Sequence, residues 1–135
     1  MGNYWLVKTE PETYSWDKFN EMGRDHWDGV RNYQARNNLR SMQKGDTVLF
    51  YHSGKERAVV GIAKVVKEAY QDPTTQDKQW VVVDLVPDRP LKKPITLKQI
   101  KEDDRLQNIS LVRHSRLSVM PLAVEEFDII LDKEN

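Results

Sequence analysis

The sequence predicts an α+β domain in which helices pack around a small sheet that is strongly bent or closed. Strand-like segments precede the helix-like segments that wrap them, and the longest strand-like segment carries apolar side chains on both faces. One face holds Val59, Ala63 and Val65, and the other holds Val60, Ile62 and Val66. A bent or closed sheet covered by helices buries both faces and removes exposed edges.

Residues 4–41 predict one strand and two helices. The apolar run 4–8 indicates a buried strand that stops at the turn containing Pro11. Ser15 suits the N-cap of a short helix, and Asn32 suits the N-cap of a second. The apolar faces hold Trp16, Phe19 and Met22 in the first helix and Ala35, Leu39 and Met42 in the second.

The rest of the chain predicts three strands, a polar loop, a short last strand and a closing helix. The strands are expected over 47–52, 57–66 and 79–86, with a freely variable turn at Asp72-Pro73 between the last two. The prolines at 87, 90 and 94 indicate the loop. Residues 117–119 indicate the last strand, and Pro121 suits the first turn of the helix. Trp5 and Trp80 lie inside strand patterns and are expected in the core.

Length and composition restrict the class of protein. The 135 residues match one domain, expected over residues 1–135, and 21 basic residues balance 21 acidic ones. A protein held on nucleic acid by charge alone is strongly basic. This chain has no net charge, so any binding of nucleic acid must use a local basic patch and a shaped site. No apolar run can span a bilayer. The chain has no cysteine, which fits a reducing compartment. We expect a monomeric, cytoplasmic bacterial protein without membrane association.

The stretch 27–40 combines a tryptophan, a glycine turn, a helix start and several arginines. Helix N-termini attract phosphate through unpaired N–H groups, and the arginine fork binds phosphate with two hydrogen bonds. Arg36 and Arg40 lie at i and i+4, on a helix face away from Leu39. The stretch is compatible with a phosphate contact, but these residues by themselves favour the alternative, a solvated helix face beside a core tryptophan.

A second candidate stretch is Phe50-Tyr51-His52-Ser53 at the end of a predicted strand. Tyrosine offers a stacking plane, while histidine and serine offer hydrogen bonds to a base edge. The alternative for His52 is a structural histidine. Trp16 and Trp27 lie at a helix start and in a loop, where an aromatic side chain can stack on an unpaired base.

Catalytic patterns are weaker. The three histidines are far apart without metal-ligand spacing, and no phosphate-binding glycine loop or nucleophile motif is present. Lys8-Thr9-Glu10 is the only tight trio of acid–base groups, and a salt-bridged surface turn explains it better than a catalytic site. We therefore expect a binding module that is not an enzyme, with no catalytic residue, no metal and no cofactor.

Five separated blocks of this sequence resemble the EVE domain, a PUA-like family, in the family's own order. They are YWLVKTEP at 4–11, WDGVRNYQARN at 27–37, FYHS at 50–53, VGIA at 60–63 and RLSV at 116–119. The resemblance runs from about residue 4 to about residue 131. It implies a PUA-like bent or closed β-barrel of five to six strands surrounded by short helices.

The resemblance also implies a reader of flipped, modified bases of the methylated-cytosine type in DNA or RNA, alongside restriction or RNA-modification proteins. It places a base pocket at Trp16, Trp27, Asn32, Tyr51, His52 and Ser53. It places the pocket rim at Lys8 and Ser118 and phosphate contacts at Arg31 and Arg116. Arg36, on the helix face described above, is expected to join them. Two alternatives stay open: an ASCH-type hydrolase of modified nucleosides that uses Lys8 with Thr9 or Glu10, and a module for structured RNA.

Overall fold

A computed structural model describes residues 3–135, within which six strands and five α-helices form one α+β unit. The strands are β1 (Tyr4–Thr9), β2 (Asp25–His26), β3 (Thr47–His52), β4 (Ala58–Gln71), β5 (Val81–Thr96) and β6 (Val119–Leu122). The helices are α1 (Trp16–Met22), α2 (Tyr33–Ser41), α3 (Leu97–Lys101), α4 (Ser110–Arg113) and α5 (Val124–Asp132), with a 3-10 turn at Asp104–Leu106. None of these helices is long and apolar enough to cross a membrane.

All six strands join one sheet in the order β2-β5-β4-β3-β1-β6. Strands β1 and β3 pair in parallel, and the other neighbours pair antiparallel. Five register shifts interrupt the β3–β4 and β4–β5 ladders, and such bulges bend a sheet. The predicted α+β class with a small bent sheet is confirmed. The sheet does not close, because its hydrogen-bonded order begins at β2 and ends at β6.

Strand β5 contains the three prolines that were expected to form a loop, so that prediction was wrong. Its first residues pair with β4 on one side and with β2 on the other, but β2 reaches only Asp84 and Leu85. Beyond Leu85 the second side of β5 is therefore a sheet edge. Proline lacks the N–H needed inside a sheet but is tolerated on such an edge.

The helix starts follow their local signals. The Ser15 side chain accepts a hydrogen bond from the Lys18 backbone, and the Asn32 side chain accepts one from Ala35. Met22 was expected on the buried side of α1, but it is 56% exposed. Pro121 lies in β6, opposite Trp5, and α5 begins only at Val124. Pro121 again occupies an edge strand, where its missing N–H costs nothing.

The core lies between the sheet and its helices. Trp5 is buried there, and its indole N–H donates to Asp46 over 2.8 Å. Trp80 was also expected in the core, and that prediction was wrong. It lies just before β5, half-exposed, and stacks on Tyr33 at the start of α2.

Candidate functional site

The best-formed cavity opens where β1, β2 and the loop after β2 meet. Its volume is about 490 Å³, within the usual range of small-molecule sites. The end of β1, the loop before α1, residues 25–31 and the segment before β6 surround it. The lining residues are Lys8, Thr9, Thr13, Tyr14, Asp25, His26, Trp27, Asp28, Gly29, Val30, Arg31 and Ser118.

Trp27 forms the aromatic wall of this cavity. Its backbone N–H donates to Val83 of β5 over 2.8 Å, which fixes the loop to the sheet. Its ring meets Phe50 and Tyr14 edge-on, with centroids 5.5 Å and 6.1 Å away. Trp27 is only 7% exposed. The indole is therefore a fixed wall, part core and part cavity.

A hydrogen-bonded acidic group lies on the same side of the cavity. The Tyr14 hydroxyl donates to Asp25 over 2.6 Å. Burial, followed by this hydrogen bond and the Asp25 charge, raises the pKa of Tyr14, so the hydroxyl remains a donor. His26 lies between two carboxylates, with Nε2 3.3 Å from Asp28 and Nδ1 3.8 Å from Asp25. The His26 backbone N–H donates to the other oxygen of Asp25, so both oxygens of Asp25 accept hydrogen bonds from the protein. Asp28 retains accepting capacity, and its side chain is 45% exposed.

Lys8 supplies a cation to the cavity. Its Nζ donates to the Ser115 carbonyl over 2.6 Å, and burial lowers the pKa of Lys8. The Lys8 backbone N–H donates to Ser118, so β1 and the segment before β6 hold the cavity together. An ammonium group has three donors, and the contact with Ser115 uses one of them.

Arg31 supplies a second cation, and Asp72 holds it. The Asp72 side chain is fully buried and accepts from Arg31 Nη1 over 3.0 Å and from the Gly29 backbone over 3.2 Å. Burial alone raises the pKa of Asp72, but hydrogen bonds from Thr74, Arg31 and Gly29 outweigh it and lower the pKa to about 2. Asp72 therefore fixes the loop that forms one side of the cavity, and the variability of its turn stays a prediction.

Five of the six predicted pocket residues lie outside the cavity lining, and four of these five come from α1 and the end of β3. Trp16 is buried against Phe50 and Phe19. Its backbone N–H donates to His52 Nε2 over 2.9 Å, and His52 Nδ1 lies 2.7 Å from Glu56. Both nitrogens of His52 are thus engaged within the protein. The other two residues are Tyr51, which is buried, and Ser53, which is half-buried.

The remaining predicted residues lie on two neighbouring surfaces. Asn32 caps α2 and lines a separate depression of about 360 Å³ together with Arg113 and Arg116. Arg36 lies further along α2, where its guanidinium is close to the Tyr33 and Trp80 rings. The structure therefore brings Trp27, Lys8, Ser118 and Arg31 to one cavity and leaves the others outside it. The binding role of every one of these residues stays a prediction.

Sequence reasoning missed Tyr14, Asp25, His26 and Asp28. The available signal was the run Asp25-His26-Trp27-Asp28, in which three titratable side chains flank one tryptophan. Tyr14 gave no such signal, because only the fold brings its hydroxyl to Asp25, eleven residues further along the chain.

Comparison with known protein families identifies the family that has this architecture. The profile of the EVE domain matches residues 3–133, nearly the whole chain. The chain belongs to the EVE domain family. Mouse thymocyte nuclear protein 1 is 38% identical to this EVE domain over an alignment that covers 99% of this chain and 74% of the mouse protein.

Solved structures agree with this assignment. A crystal structure of a protein from Agrobacterium tumefaciens has a TM-score of 0.97 at 40% identity, covering 99% of this EVE domain and 94% of that chain. The crystal structure of human THYN1 protein in complex with 5-methylcytosine-containing DNA has a TM-score of 0.93 at 35% identity, and the alignment covers 99% of this EVE domain and 98% of that chain. An ASCH protein from Zymomonas mobilis shares the fold alone. Its crystal structure has a TM-score of 0.60 at 12% identity, and the alignment covers 96% of this EVE domain and 94% of that chain.

Proposed function

We propose that this EVE domain binds DNA that carries a 5-methylated cytosine and takes that base, turned out of the helix, into the cavity beside Trp27. One arrangement carries the proposal: an aromatic wall, an available carboxylate and a lysine converge on a space of about 490 Å³. The human relative crystallised with 5-methylcytosine-containing DNA, 35% identical, supports the same ligand class.

The aromatic wall offsets the cost of turning the base out. Unstacking and unpairing a base costs a few kcal/mol, and stacking on an aromatic side chain returns about 1–3 kcal/mol. Trp27 is held by Val83, Phe50 and Tyr14. No further ordering of the indole is needed on binding, so the stacking energy is not spent on fixing it.

Asp28 is the group that identifies cytosine in this proposal. Cytosine presents the N4 amino group as a donor, and aspartate accepts from it. Thymine carries the same 5-methyl group but presents an oxygen there, which faces the carboxylate unfavourably. Asp25 is already held by Tyr14 and the His26 backbone, whereas among residues 3–135 the polar partner of Asp28 is His26 alone, at 3.3 Å.

The methyl group alone selects weakly. Burying one methyl is worth ~0.8 kcal/mol, which is about a fourfold preference. Trp27 and the buried Val30 provide the apolar surface for it. Stronger preference for the modified base requires the unmodified base to leave part of this surface in contact with water.

The DNA backbone is assigned to the exposed arginines around the cavity. Arg116 and Arg113 lie beside the N-terminus of α2, and such a terminus favours phosphate. Arg31 is partly neutralised by Asp72, so we assign it chiefly to shaping the cavity. RNA binding, a monomeric state, a cytoplasmic location and restriction or RNA-modification partners stay predictions.

Binding titrations test the proposal. Fluorescently labelled single-stranded oligonucleotides that differ only in a central cytosine, 5-methylcytosine or thymine are titrated with the protein, and anisotropy gives the Kd. We expect the order 5-methylcytosine, then cytosine, then thymine. Asp28→Asn should weaken 5-methylcytosine binding by about 10- to 150-fold, because a hydrogen bond to a charged group is worth ~1.5–3 kcal/mol.

Asp17→Asn is the matched control, since Asp17 is an exposed carboxylate on α1 outside the cavity. Equal binding of the three bases, or a preference for 5-methylcytosine over thymine that survives Asp28→Asn, would contradict the proposal. Mass spectrometry of the recovered nucleoside should show no turnover, which separates a reader from a hydrolase. A ribose version of the strand tests DNA preference through its 2′-hydroxyl groups.

A further inference from the structure

A second aromatic site lies outside the cavity, and the fold rather than the sequence assembles it. Tyr33, the first residue of α2, is 59% exposed. Its ring stacks in a column on the partly buried Trp80, with centroids 5.3 Å apart and an interplanar angle of 23°. An exposed tyrosine that stacks on a partly buried tryptophan is unlike the single, scattered apolar residues of an ordinary surface.

The distances around this column show where it is open. The Arg36 Cζ lies 5.1 Å from the Tyr33 centroid and 5.9 Å from the Trp80 centroid. These distances are close to the 5.3 Å between the rings, so Arg36 lies beside the column. A position on the outer face of Tyr33 would be roughly twice as far from Trp80. Arg36 therefore leaves that face uncovered, in accord with the exposure of Tyr33.

Basic side chains line the column. Arg36 takes part in none of the ion pairs found among residues 3–135, and its N–H groups donate to the neutral amide of Asn37. Arg40 follows one turn later and approaches the Gln79 carbonyl at 3.5 Å. The acid of the adjoining loop, Asp77, is engaged by Gln79. A flat aromatic face beside an uncompensated arginine is the combination that holds a base and its phosphate.

Arg31 connects this column to the cavity. It lines the cavity, and its Cζ lies 5.6 Å from the Trp80 ring. We propose that the Tyr33–Trp80 column is a stacking platform for an unpaired base of the DNA strand that flanks the base held in the cavity, with Arg36 bound to the phosphate between them. This platform rests on the proposed function for its place beside the flipped base, but its binding of single-stranded DNA is measurable without it.

Variants of Tyr33 test the platform. Tyr33→Ala removes the exposed stacking face, and Tyr33→Phe keeps it. We expect Tyr33→Ala to weaken single-stranded oligonucleotide binding by about 5- to 150-fold, the equivalent of ~1–3 kcal/mol for one stacked base. Tyr33→Phe should stay within about twofold of the original protein. Met22→Ala is the matched control, because Met22 is an exposed apolar side chain, 56% exposed, on another helix.

The choice of ligand separates the platform from the cavity. Binding of free 5-methyl-2′-deoxycytidine, measured by calorimetry, should be unchanged by Tyr33→Ala, as should the ratio of 5-methylcytosine to cytosine affinity in oligonucleotides. Equal oligonucleotide affinity of the Ala and Phe variants overturns the platform, and so does loss of free nucleoside binding in Tyr33→Ala. If all bases bind equally, the proposed function fails. The platform is still supported in that case if Tyr33→Ala weakens the binding of unmodified strands and Tyr33→Phe does not.

Discussion

Gly61→Ala is expected to destabilise the protein because of a single side chain, Trp16. Gly61 lies in β4 under the Trp16 ring, and an added Cβ would lie 2.5 Å from Cζ3 and 2.6 Å from Cε3 and Cη2. Ordinary contacts begin at 3.4 Å, so the ring or the strand must move by about 1 Å. The ring has little freedom, because it packs edge-on against Phe50 and Phe19 at 5.2 Å and 5.6 Å.

The size of the effect follows from two opposing contributions. Overpacking a core costs ~1–3 kcal/mol, whereas alanine in a strand gains ~0.5–1 kcal/mol over glycine from reduced chain entropy. The net loss is on the order of 1–2 kcal/mol. In a domain of this size each kcal/mol lowers the Tm by about 3–5 °C, so the expected drop is about 3–10 °C.

A double-mutant cycle measured by urea unfolding assigns the loss to the contact. Trp16→Leu removes the ring that a new Cβ would meet. In that background the clash is absent and Gly61→Ala should stabilise the protein by ~0.5–1 kcal/mol, so the two changes should be non-additive by about 1–3 kcal/mol, the overpacking cost. The reasoning is refuted if Gly61→Ala costs the same with and without the indole, or if it leaves the original protein equally stable.

Two further predictions concern a buried carboxylate and an exposed arginine. The pKa of Asp72 falls from the ordinary 3.8 to about 2 on folding, so Asp72 contributes on the order of 2 kcal/mol to stability above pH 4, and this contribution disappears as the pH falls through 2. Urea unfolding should therefore show Asp72→Asn to be less stable than the original protein at neutral pH, with the difference shrinking towards pH 2; a difference that stays constant over that range would contradict the assigned pKa. Arg116→Ala should weaken modified and unmodified strands alike and reduce the slope of log affinity against log salt by about 1, whereas an effect confined to modified strands would place Arg116 at the base.

Features of the fold that depend on local chemistry could be predicted from the sequence. Ser15 and Asn32 cap helices through their own side chains and nearby backbone N–H groups, so neighbouring residues suffice to identify them. The prolines of β5 could not be assigned in this way. Proline ends a strand in the interior of a sheet but not at an edge. That part of β5 is an edge only because its pairing with the short β2 stops at Leu85.

The candidate site also contains residues that neighbouring sequence identifies and residues that only the fold identifies. Trp27 follows from its position before a glycine turn, whereas the burial of Trp16 and the exposure of Trp80 depend on what the fold packs against them. Strand periodicity placed Trp80 in the core, but the ring lies before β5 begins at Val81. His52 had the residue type of a base contact, and only the fold shows that Trp16 and Glu56 engage both of its nitrogens.

The polar groups of the cavity fall into two sets with different tasks. Asp25 and Asp72 receive their hydrogen bonds from the protein itself, so they fix the walls before any ligand arrives. Asp28 and Lys8 keep unused capacity and face the same space. Because the walls are fixed, a ligand gains little by reshaping them, and in the proposed function a wrong base covers Asp28 or Lys8 without satisfying its remaining hydrogen-bonding capacity. An unpaired buried group costs about 1–3 kcal/mol or more, whereas the methyl group gives ~0.8 kcal/mol. In the proposed function, recognition of the base therefore depends more on these two polar groups than on the modification itself.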